Sequence, residues 1–179
     1  MVQNEKLRNA LIIFFNPSLI LDNKKKYRWY LLLLYPAVGW SLFFLQVYLS
    51  QHLDRVGALV KMLIVSFVLG YAVNLFIGVS LTWILRYIRR RIEYDNVISC
   101  ISLSHTYMFF SLILGFIYRI FDPSASVSFG VAGVLCTLLP IYAGIRNLGS
   151  KNPFVAPLLA TYVGVIMLFF WKLITVING

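Results

Sequence analysis

Five long apolar runs, separated by short polar stretches, set the pattern of this chain: about residues 29–48, 60–85, 97–121, 125–142 and 154–176. About 20 residues of helix cover about 30 Å, the thickness of a bilayer's hydrocarbon core. The longest run, Val60 to Leu85, carries a single charge, Lys61, near its start. In lipid a helix satisfies its own backbone polar groups, whereas an extended or irregular segment does not. The pattern therefore predicts an all-α polytopic integral membrane protein, one domain over 1–179 with five transmembrane helices. Ahead of them, Leu7, Ala10, Leu11 and Phe14 recur at helical spacing among polar neighbours. That predicts a short interfacial amphipathic helix over 1–16, ended by Asn16-Pro17. Pro36 inside helix one predicts a kink, and Pro140 marks the exit of helix four.

Lipid tails are as apolar as leucine, so helices in a bilayer associate through close packing and hydrogen bonds between helices. Ser66, Gly70, Asn74, Gly78 and Thr82 recur at steps of four along helix two. Each step turns the helix by about 400°, so the row drifts only about 40° per step and stays on one face. Helix five repeats the device with Ala156, Ala160 and Gly164. Helix four offers Ser126 with Gly130 and Gly133 with Thr137, and helix three offers Ser111 with Gly115. These rows predict helix two at the centre of the bundle, with Asn74 bonded to a neighbouring helix or a buried water.

Composition agrees with the membrane reading. Of 179 residues, 60% are hydrophobic and 12% charged, where soluble domains carry about 25% charged residues. A net charge of +10 would point to nucleic acid in a soluble chain. Here Lys24, Lys25, Lys26, Arg86, Arg89, Arg90 and Arg91 flank apolar runs, so topology and anionic lipid headgroups explain them, and no nucleic-acid partner is expected. With the N-terminus inside, 12 of the 16 lysines and arginines fall on the inner side. The expected orientation is a cytoplasmic N-terminus, retained rather than cleaved as a signal, and an extracytoplasmic C-terminus. Arg86 to Arg91 also form a candidate docking surface for a partner.

Little in the sequence speaks of catalysis. Cys100 and Cys136 lie inside apolar runs without a Cys-x-x-Cys or Cys/His cluster, so neither a disulfide nor a metal site is expected. His105 is the one ionisable side chain well inside the membrane, which makes it the candidate functional polar residue; the alternative is a neutral imidazole satisfied by Ser102, Thr106 or a backbone carbonyl. Ser80 and His105 invite a nucleophile–base reading, yet no glycine follows Ser80 and no oxyanion donors are identifiable. The expectation is a non-enzymatic protein without cofactor or metal.

Three stretches carry a family resemblance. Asn16-Pro17 ends the N-terminal helix, Glu93-Tyr94-Asp95-Asn96-Val97 opens helix three, and Tyr142-Ala143-Gly144-Ile145-Arg146 leaves helix four. With five crossings and a cytoplasmic N-terminus, this plan resembles the Yip family of membrane proteins, first named for interacting with Rab-type GTPases. Ser104-His105-Thr106-Tyr107 lacks the proline that commonly follows in the family. The long N-terminal region and Asp-Leu-Tyr-Gly-Pro motif of the eukaryotic members are missing as well. The resemblance thus implies a bacterial-type member in the inner membrane: a scaffold or accessory subunit packed against another integral membrane protein or itself. The alternative is a small oligomeric transporter, channel or lipid-handling protein.

Overall fold

A computed structural model describes residues 32–50, 56–88, 92–148 and 153–178. The expected interfacial helix over 1–16, Lys24, Lys25, Lys26, Arg89, Arg90 and Arg91 lie outside the described residues. Those described form seven helices: α1 (Leu34–Ser50), α2 (Val56–Ile88), α3 (Tyr94–Ser104), α4 (Thr106–Tyr118), α5 (Pro123–Cys136), α6 (Leu138–Leu148) and α7 (Val155–Asn178). Four stretches are long and apolar enough to cross a membrane: Gly57–Ile88, Tyr94–Tyr118, Ala125–Leu148 and Val155–Leu173. With the shorter apolar α1, they make the all-α architecture of a polytopic membrane protein.

The third and fourth spans are each built from two helices. The third breaks at His105. There Ser104 Oγ donates to the Cys100 carbonyl, His105 Nδ1 lies 2.9 Å from the Ile101 carbonyl, and Thr106 Oγ1 donates to the Leu103 carbonyl at 2.7 Å. Three consecutive side chains thus compete with the backbone for carbonyls of the preceding turn, which loosens and bends a helix. The backbone responds by tightening, with His105 N–H donating to the Ser102 carbonyl at 3.2 Å. The fourth span breaks at Thr137, whose Oγ1 donates to the Val134 carbonyl at 2.6 Å and whose N–H is shared between the Gly133 and Val134 carbonyls.

The structure corrects one boundary. Helix four does not end near Tyr142: α6 carries it on to Leu148. Pro140 is the third residue of α6, and a proline in the first turn loses no backbone bond, because that N–H has no partner within the helix. Pro36 likewise falls in the first turn of α1, and Pro157 in that of α7.

The centre of the bundle also differs from the expectation. α1 packs against α2, α3, α4 and α5, and its aromatic side chains reach α7: Trp40 meets Phe170 edge-on at 4.9 Å, and Phe43 meets Trp171 at 5.8 Å. α2 touches α1, α3 and α7, and only 33% of its most apolar stretch is buried, against 50% in the third span. Small residues decide how close two helices come, but volume decides what fills the middle. Trp40, Phe43 and Phe44 put that volume on α1, each almost fully buried.

Candidate functional site

Every residue of the helix-two row faces inward: Ser66, Gly70, Asn74, Gly78 and Thr82 are all buried. The row does not meet one partner. A side chain added at Gly70 would lie 3.1 Å from Trp40 Cβ and 3.4 Å from Ala37 Cα, so here α2 rests on the α1 backbone. At Gly78 the neighbour is the flexible end of Ile98, with Ile101 close by, so there α2 rests on α3. Asn74 lies between these two contacts. Ala156, Ala160 and Gly164 of α7 are buried as well, and Gly164 abuts Leu138 of α6.

The contacts fix the heights of the polar residues. α2 and α3 run antiparallel, with Gly78 against Ile98 and Ile101. One turn of α2 back from Gly78 is Asn74, and one turn of α3 on from Ile98 and Ile101 are Ser102 and His105. Between the third and fourth spans, Gly133 abuts Met108 and Ser111 while Gly144 abuts Cys100, so Thr137 lies level with His105. The two breaks therefore sit at one depth, and Asn74, Ser102, His105 and Thr137 form a single polar layer. All four are buried.

Hydrogen bonding within the layer is local and incomplete. Asn74 Nδ2 donates to the Gly70 carbonyl of its own helix at 2.8 Å, which leaves Oδ1 for the expected bond to a neighbouring helix or water. The His105 contact with the Ile101 carbonyl requires a proton on Nδ1, which makes Nε2 of a neutral ring an acceptor. Asn74 Oδ1, Ser102 Oγ, His105 Nε2 and Trp40 Nε1 have no partner among the described residues. No protein family, curated protein or solved structure matches this chain.

The structure does not bring Ser80 and His105 together. Ser80 Oγ donates to the Ile77 carbonyl at 3.1 Å, and Ser80 lies more than a turn from the height of His105. Cys100 and Cys136 are free thiols, and Cys100 fills the space beside Gly144. Among the described residues no three His, Cys, Asp or Glu side chains gather in a metal-binding group. Arg86 is exposed and ends the second span, its Nε donating to the Ile92 carbonyl at 2.9 Å, which ties α2 to the entry of α3.

Sequence reasoning missed a second polar point. Gln46 of α1 is fully buried, with its carboxamide wedged between Gly115 of α4 and Gly130 of α5. Neither polar atom of Gln46 has a partner among the described residues, nor has Ser126 Oγ beside it. The signal was there: Gln46 interrupts Phe43-Phe44-Leu45 and Val47-Tyr48, and the small pairs of helices three and four lie opposite it.

Proposed function

We propose that this chain is a non-enzymatic integral membrane scaffold of the Yip type, which seats an apolar helix of another membrane protein. The reading rests on one observation, an apolar groove between α2 and α7 of about 440 Å³. It is lined by Ala72, Val73 and Phe76 on one side and by Val165, Phe169 and Leu173 on the other. With hydrocarbon walls it offers a polar substrate no hydrogen bond. Phe76 is 58% exposed, and from it the α2 surface continues through Val79 to Trp83, which is 74% exposed. Ala72, Phe76, Val79 and Trp83 follow the 4-3-4 spacing of a seam between two helices. A regular seam favours a helix over disordered acyl chains, and the arginines after Ile88 would hold the partner's cytoplasmic end near anionic headgroups. The same arginines support a cytoplasmic N-terminus, and the resemblance to the Yip family supports a bacterial inner-membrane location.

A photo-cross-linking residue placed at Phe76, and separately at Trp83, tests this in native membranes. One protein adduct of the same mass is expected from both positions and not from Ile113, an exposed position on α4. Lipid adducts alone at Phe76 and Trp83 would overturn the reading. A second reading, a small oligomeric transporter, is favoured by the two spans broken at one depth, a device of transporter sites. Substrate flux in liposomes decides between them.

A further inference from the structure

We infer that the polar layer between α2 and α3 is a water-binding site, in which water bridges Asn74 and His105 across the two helices. The inference does not depend on the docking groove. Asn74 and His105 each spend a donor on their own helix, on the Gly70 and Ile101 carbonyls. Left without a partner are Asn74 Oδ1 on α2 and His105 Nε2 on α3, two acceptors at one height on helices in contact. Two acceptors cannot bond each other. The species that closes them carries two donor hydrogens and an acceptor, and that is water. Ser102 Oγ and Trp40 Nε1 bring further unpaired groups to the same region; Trp40 Cδ1, bonded to that nitrogen, lies 3.4 Å from where a Gly70 side chain would start. A water with three such neighbours has the usual complement of a buried site.

The obvious rivals for the site are a cation and a protonated imidazole. A metal cation would need a carboxylate nearby, because an uncompensated charge in the bilayer interior is strongly disfavoured. Asn74, Ser102, His105, Thr137 and Trp40 supply none. A protonated His105 would donate from Nε2 straight to Asn74 Oδ1, at the cost of a buried charge with no counter-charge in the layer.

Water-edited solid-state NMR of the full chain in lipid bilayers, with ¹⁵N-histidine, separates these outcomes. The chain holds only 2 histidines, so an His52→Gln variant assigns the signals. The expected spectrum shows His105 neutral, protonated on Nδ1, with rapid polarisation transfer from water to Nε2. Replacing Asn74 by Leu removes one tether and should slow that transfer about twofold; Ser102→Ala is the milder variant should the first fail to fold. A ring protonated on both nitrogens, or a wild-type Nε2 signal that receives nothing from water, would overturn the proposal.

Discussion

At Gly133 the packing leaves little room for a side chain. It lies on α5 against α4, and a methyl group there would sit 2.8 Å from Ser111 Cβ, 3.1 Å from Met108 Cα and 3.2 Å from the Met108 carbonyl oxygen. Carbon atoms in contact rest about 3.5–4.0 Å apart, so relief requires a shift of about 0.7 Å. Two of the three obstacles are backbone and do not rotate away. The helices must separate, which loosens the contact of Gly115 with Ser126 along the same seam. Overpacking of this kind costs about 1–3 kcal/mol, and alanine's better helix propensity returns about 0.5–1 kcal/mol. Gly133→Ala should therefore destabilise the protein by about 1–2 kcal/mol. Gly57 is the control, since nothing lies within 4 Å of its missing side chain. There the same substitution should be neutral or stabilise by up to about 1 kcal/mol. Reversible unfolding in mixed micelles compares the two, and the expected gap of about 2 kcal/mol is roughly a 30-fold difference in equilibrium constant. If the variants agree within about 0.5 kcal/mol, close backbone approach does not hold α4 and α5 together.

Gly70 and Gly78 should part company in the same assay. Gly70→Leu collides with Trp40 Cβ and the α1 backbone and is expected to prevent folding, whereas Gly78→Ala meets a rotatable Ile98 side chain and should cost less than about 1.5 kcal/mol; equal losses would refute the distinction. Gln46→Leu removes two unpaired polar atoms from a site of similar volume, so thermal stability in detergent should hold or rise by about 1 kcal/mol; a fall of about 2 kcal/mol would mean the carboxamide is a satisfied clasp.

The spans were legible because their cause is simple. Apolar runs of membrane length admit one backbone solution, and short loops then force neighbours to run antiparallel. The interior was less so. A row of small residues at steps of four announces that something comes close to Gly70 and Gly78 but does not name it. In the event two different helices do, because the row drifts across α2. Nor does such a row say which helix is central; Trp40, Phe43 and Phe44 settled that through bulk. The breaks at His105 and Thr137 had visible precursors in Ser104-His105-Thr106 and in a proline three residues after Thr137. Each looked ordinary alone, since serine and threonine pass without trouble through many apolar helices.

Asn74 shows why polar residues in an apolar helix mislead. Within an apolar helix a side-chain donor takes the carbonyl closest to hand, and four residues back on its own helix there is always one. Asn74 takes that of Gly70, His105 that of Ile101, Ser104 that of Cys100 and Thr82 that of Gly78. One donor of each is thereby spent within its own helix, while the acceptors of Asn74 and His105 are left over at the surface between helices. Rotating or sliding α2 against α3 cannot bond these two atoms to each other, because both are acceptors. A polar layer built this way does not act as glue between helices in the usual sense. It becomes adhesive when a third group donates to both acceptors at once, so the strength of the α2–α3 seam should follow whatever occupies the layer.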